Sequence, residues 1–245
     1  MQHAGGASVE IALSAKAERT MLTSPSRRLM LALLVGGWVA ALVGVRLVLT
    51  DSIFGLFLAW NLFLAAVPLM ASTAMLRLDA RGARWPALVA LGVVWLLFLP
   101  NAPYVLTDLV HLQPRPPVPY GYDLALLLSA AGAGLLSGYV SLADVQSVVA
   151  RRLGARVAWA GAVGVLFLSA FGMYLGRDLR WNSWDVVAAP DALLADIAPR
   201  LLDPLAHPAT VVTTAVFGGM LTLGYVVLRA LVAPPPAATP GPEAA

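Results

Sequence analysis

Apolar positions in this chain come in six long runs, separated by short polar or arginine-bearing segments. The first, Leu29–Leu49, matches the about 20 residues that cross ~30 Å of hydrocarbon as a helix. Five more follow at roughly 54–76, 86–99 with an extension to 112, 122–145, 157–176 and 209–231. The pattern predicts an all-α, polytopic transmembrane bundle of about six spans. Three segments are expected: a disordered tail over 1–26, a membrane domain over 27–232, and a disordered Pro/Ala-rich tail over 233–245. The first run is too long for a signal sequence, so it is read as an uncleaved span.

The third run carries the main irregularity, Phe98-Leu99-Pro100-Asn101-Ala102-Pro103-Tyr104. Each proline removes a backbone donor and crowds the preceding turn, and residues before proline are pushed towards extended geometry. The third helix is therefore expected to break at Pro100/Pro103, ending near Leu99. Asn101 would cap a short second helix, on which Tyr104, Asp108 and His111 share one face at i, i+4 and i+7. Such a break is tolerated in a bilayer only where protein or water satisfies the freed backbone groups.

Composition agrees with the membrane reading. The chain has 245 residues, 60% hydrophobic and 12% charged, with a mean hydropathy of +0.80. Soluble domains carry about twice that charge, ~25%. There is no cysteine, which removes disulfides, thiolate chemistry and Cys-ligated metal. The pI near 9.6 reflects arginines that encode orientation. Lys16, Arg19, Arg27 and Arg28 precede span one; Arg77, Arg81 and Arg84 follow span two; Arg151, Arg152 and Arg156 follow span four; Arg229 closes span six. With six spans all lie on one side, so both termini are expected in the cytoplasm of a plasma-membrane protein. Membrane lipids are the expected partners, and nucleic acid is not.

The exoplasmic side then holds the loop 111–122 and the long segment 177–208. Within the latter, Leu193, Leu194, Ile197 and Leu201 form a helical stripe with Asp191, Asp196, Arg200 and Asp203 around it, which suggests an amphipathic helix in the interface. Just before it comes Gly172-Met173-Tyr174-Leu175-Gly176-Arg177-Asp178-Leu179-Arg180-Trp181-Asn182-Ser183-Trp184-Asp185. An aromatic and basic anchor at headgroup level accounts for Trp181, Trp184, Arg177 and Arg180. It accounts less well for Asp178, Asn182 and Asp185 among them. Asp123 opens span four, where the helix dipole favours an acid.

Three helix ends thus bring polar groups to one depth. The candidate cluster is Asn101, Tyr104, Asp108, His111, Asp123, Arg177, Arg180, Trp181, Asn182, Trp184 and Asp185. It could bind a lipid headgroup or small polar ligand, with Arg177 and Arg180 on an anion and the tryptophans as an apolar wall. Alternatives are a membrane-embedded enzyme on a lipid-linked substrate, with His111 and an aspartate as acid and base, or an assembly or scaffold subunit. Asp108 and His111 could meet one metal ion, with Asp123 or Asp178 adding an oxygen. No fixed metal motif is present, and neither a metal nor a cofactor is expected. Elsewhere Asn61 should hydrogen-bond another helix and Arg46 should snorkel outward. Asp144 and Gln146 should be solvated, and Gly132, Gly134, Gly138, Gly161 and Gly164 should be close-packing contacts.

The stretches FLPNAPYVLTDLVHL, YDLALLLS and GMYLGRDLRWNSWDV resemble a bacterial family of membrane proteins, the DUF1361 family. The resemblance spans roughly residues 50–230 and implies a helical integral membrane protein. Asp178 stands where the family pattern has an apolar residue, which lowers its standing as a site residue.

Overall fold

The computed structural model describes residues 25–50 and 53–232, with side chains from residue 30 onward. The 233–245 tail, most of the 1–26 tail with His3, and residues 51–52 lie outside the described residues, while Pro25 and Ser26 already begin a helix. The elements are α1 (Pro25–Leu49), α2 (Leu56–Ala80), α3 (Trp85–Phe98), α4 (Asn101–Tyr104), a 3-10 helix (Val105–His111), α5 (Tyr120–Leu153), α6 (Ala155–Asp178), α7 (Asp185–Ala188), α8 (Pro190–Leu202), a short 3-10 turn (Pro204–Ala206) and α9 (Pro208–Val232). Among the described residues no strand forms. Six stretches are long and apolar enough to span a bilayer: Met30–Leu49, Leu56–Ala80, Trp85–His111, Tyr120–Leu153, Ala155–Asp178 and Pro208–Val232. The chain is a multi-pass membrane protein with the six expected spans.

Helix α5 is the axis. It packs most extensively on α2, and also meets α1, α4, the 3-10 helix and α6, while α9 pairs with α6. Half of its most apolar window is buried, against 17% for α1 and for α9. One core gathers Trp95, Leu99, Tyr139, Leu166, Met173, Leu221 and Tyr225. A second gathers Val39, Leu58, Ala102, Val105, Leu126 and Leu127. Ala102 and Val105 come from the irregular part of span three, so that segment is core.

Glycines make the close approach possible. A Cβ on Gly134 would lie 2.6 Å from the Ala102 carbonyl oxygen, and one on Gly138 would lie 2.9 Å from the Ala102 Cβ. On α6, a Cβ on Gly172 would lie 2.7 Å from Pro100 Cγ, and one on Gly176 would lie 3.2 Å from Tyr104 Cε2. The Pro100–Tyr104 segment is thus held between two glycine pairs, each at helical i, i+4 spacing. Gly132, Gly161 and Gly164 have nothing within 4 Å of a built Cβ. Small size alone did not distinguish these uncrowded glycines from packed ones.

Three further expectations are corrected by burial. Arg46 does not snorkel: it is 1% exposed and pairs with Asp123. Asp144 and Gln146 are buried, not solvated. The reason is the length of α5, whose 34 residues keep both inside the bundle. There Ser72 donates to Asp144 at 3.1 Å and the Tyr225 hydroxyl donates to Gln146 at 2.7 Å. At the arginine-rich end of the bundle, Asp79 accepts from Arg151 and Arg152, each at 2.7 Å.

Candidate functional site

Span three deforms at its prolines without opening into extended chain. Leu99 and Pro100 keep right-handed helical dihedrals. The Ala102 N–H donates to Leu99 O at 3.0 Å, a three-residue closure. That leaves the Phe98 carbonyl without its usual i+4 donor, and the Asn101 side-chain amide takes the place at 3.0 Å. Asn101 therefore repairs a proline-broken ladder; it does not cap the second helix, which has no side-chain cap. Beyond Tyr104 the chain tightens to 3-10 geometry, with about three residues per turn. Asp108 and His111 then lie above one another, and Tyr104 leaves their row.

Asn101 Nδ2 also donates to Ser183 Oγ at 2.9 Å. This bond joins span three to the segment after α6. Helix α6 ends at Asp178, and Arg180 takes φ 63°, a left-handed conformation rare for a residue with a side chain. The turn is closed by Trp181 N–H to Leu175 O at 3.0 Å. It folds Trp181 back against Gly176, with the Trp181 carbonyl oxygen 3.5 Å from where a Cβ on that glycine would stand. Trp181 Nε1 then donates to Asp196 Oδ2 at 2.8 Å, which ties α8 over the site. Asn182 and Asp185 form a local turn: the Asn182 N–H and side chain both donate to Asp185 Oδ2, at 2.7 and 3.2 Å.

These elements enclose a cavity of about 370 Å³. Trp60, Asn61 and Leu64 of α2 form one wall; Pro100, Asn101 and Tyr104 form the next; Gly172, Leu175 and Gly176 face them. Trp181, Asn182 and Ser183, with Val186 and the α8 residues Leu193 and Ile197, complete it. The wall is mainly apolar with a few polar groups, as in ligand cavities generally. Asn61 Nδ2 donates to Asp108 Oδ2 at 2.8 Å, so the expected interhelical bond of Asn61 runs to the buried acid of span three. Asp108 stands behind the wall, and His111 and Arg177 both lie within electrostatic reach of it.

The predicted cluster therefore divides. Asn101, Tyr104, Trp181 and Asn182 line the cavity; Asp108 supports it through Asn61, and Asp185 through Asn182. His111 stacks edge-on against Phe57 at 5.2 Å. Arg177 is half-buried near Asp108, Arg180 is exposed in its strained turn, and neither lines the cavity. Trp184 is 42% exposed and meets Trp60 edge-on at 6.4 Å. Asp123 is turned away: it is fully buried and accepts from Arg46 Nε at 2.8 Å. It therefore adds no third ligand beside Asp108 and His111, and among the described residues no three His, Cys, Asp or Glu side chains are gathered for a metal. Asn61, Ser183, Leu193 and Ile197 were absent from the predicted cluster. Asn61 gave a signal, as a lone amide within an apolar span; Ser183 lay inside a dense polar stretch.

The expected amphipathic helix forms as α8. Its stripe is split: Leu193 is buried and Ile197 half-buried against the cavity, while Leu194 and Leu201 face outward.

A family model described as "Protein of unknown function (DUF1361)" matches residues 60–223, more than half of the chain. The chain belongs to the DUF1361 family. No curated protein and no solved structure matches it. The matched region holds every cavity-lining residue, and it leaves out Arg46, the partner of Asp123.

Proposed function

We propose that this DUF1361 protein binds the polar part of a lipid, or a small polar solute, in the cavity between Asn101 and Trp181. The proposal places the cavity at the exoplasmic face of the plasma membrane, with both termini cytoplasmic, because the arginine-rich loops gather at the opposite end. The observation that carries the reading is the cavity itself. Its floor is a proline-deformed span held by two glycine pairs, and its roof is a strained turn pinned to α8. Backbone strain of this kind costs about 1–3 kcal/mol and clusters where a ligand or switch needs it. The exposed leucines of α8, Leu194, Leu201 and Leu202, suit a roof lying in the lipid interface, through which an amphiphile could enter sideways.

The test is a filled cavity. Ile197→Trp puts an indole into the roof without touching a hydrogen bond. Purified wild-type protein should carry a lipid or solute, detected by native mass spectrometry, that the variant lacks. Equal retention by both proteins, with matching circular dichroism, would refute the reading.

A further inference from the structure

The hydrogen bonds around the cavity fix which atoms remain for a ligand. The Phe98 carbonyl can only accept, so the amide nitrogen of Asn101 must face it. The Asp108 carboxylate likewise takes the nitrogen of Asn61. In both residues every amide hydrogen bond is made by nitrogen, and both carbonyl oxygens are left without a partner among the described residues. Tyr104, on the same wall, also makes no side-chain hydrogen bond there. The cationic side chains nearby, Arg177 and Arg180, do not line the wall. The wall also carries the Tyr104 and Ser183 hydroxyls and the Trp60 Nε1–H, but its two free amide oxygens can only accept, and Trp60 and Trp181 add aromatic surface.

Resting on the binding reading above, we infer that the ligand is a hydrogen-bond donor, bearing hydroxyl or ammonium groups, held by the amide oxygens of Asn61 and Asn101. Asp108 is the positioning residue that turns the Asn61 oxygen inward. Donating its N–H to a carboxylate also makes the Asn61 oxygen a better acceptor, since chained hydrogen bonds polarise one another. A headgroup without donors would bury both oxygens unpaired, and that cost outweighs the gain from a single made bond.

The test uses the full chain and three dioleoyl phospholipids: phosphatidylethanolamine, phosphatidylglycerol and phosphatidylcholine. The ethanolamine and choline lipids share a net charge, but only the first has N–H donors. Retention is read by native mass spectrometry. The ethanolamine and glycerol lipids should be retained about ten-fold more than the choline lipid, the worth of one or two neutral hydrogen bonds. Asn101→Leu should bring that ratio towards one. Asp108→Asn, which can still accept from Asn61, should keep it, and Asp108→Leu should lose it. If Asp108→Leu does not accumulate, Asn101→Leu and Asp108→Asn decide. Stabilisation by free glycerol or ethanolamine identifies a soluble donor ligand, and retention of the lipids alone identifies a lipid one. Equal retention of all three lipids, still abolished by Ile197→Trp, would overturn the donor assignment and leave the cavity reading standing. Retention of phosphatidylglycerol alone would overturn it in favour of charge. Lipid retention untouched by Ile197→Trp would remove both.

Discussion

Two buried polar systems sit at the loop-rich end of the bundle, and they are built on opposite plans. Arg46 and Asp123 join α1 to α5 as a charged pair, with Nε–Oδ1 at 2.8 Å and Nη2–Oδ2 at 3.5 Å. Arg46 Nη1 also donates to Thr50 at 2.7 Å. Across the bundle, Asn61–Asp108 and Asn101–Ser183 join α2, span three and the turn after α6 through amides that each leave an oxygen unused. The first system sets opposite charges against each other, although Arg46 and Thr50 also border a second cavity; the second leaves neutral amide oxygens without a partner among the described residues. In a bilayer, where unsatisfied polar groups are expensive, the difference separates a structural tie from a place for a ligand.

The charged pair should be the more sensitive of the two to substitution. Removing one partner of a buried ion pair leaves an uncompensated charge, at a cost of about 3–5 kcal/mol. Arg46→Leu should therefore lower the melting temperature of the purified protein by more than any change at the cavity. The double variant Arg46→Leu/Asp123→Leu should recover most of the loss, because replacing both charges with apolar groups is often neutral. A double variant no more stable than the single one would show that Arg46 acts through Thr50 and packing, not through Asp123.

Glycine substitutions test the walls of the cavity apart from its polar groups. Gly172→Ala drives a methyl group against Pro100, where the Cβ would stand 2.7 Å from Cγ. Overpacking of this kind costs about 1–3 kcal/mol. Gly161→Ala meets nothing within 4 Å, and alanine gains up to about 1 kcal/mol over glycine in a helix. The two variants should shift the thermal midpoint in opposite directions. A shared direction would mean that α6 does not seat against the deformed span.

Much of this architecture can be read from the chain. Hydrophobic run length gives the spans, because the bilayer sets helix length independently of tertiary detail. The same arithmetic places α8, whose leucine stripe repeats at helical spacing. Side-chain direction across helices is less legible. Asp108 and Asp123 look alike in sequence, each an acid near a helix end. One turns to Asn61 and the other to Arg46, and helix rotation about α5 decides which. The proline break was legible as a break but not as a shape: Asn101 supplies the missing donor to Phe98, so the chain stays helical where proline rules alone predict extension. Glycine roles were legible only in part. Gly134 and Gly138 pack as expected, while Gly161 and Gly164 have nothing within 4 Å of a built Cβ.

The smallest expected effect is the most informative about the cavity. Ser183→Ala removes one neutral hydrogen bond, the one from Asn101 Nδ2, and should cost about 0.5–1.5 kcal/mol in stability. The second Asn101 bond, to Phe98 O, remains, so the amide keeps its orientation and its oxygen stays available. Ligand retention should therefore survive Ser183→Ala and fall in Asn101→Ala, although both variants lose the same contact between span three and the turn after α6. Thermal midpoints and copurifying mass, measured on the two proteins side by side, separate these effects. If retention drops equally in both, the Asn101–Ser183 bridge is itself the binding feature, and the contrast between a satisfied tie and an open amide does not hold at this end of the bundle.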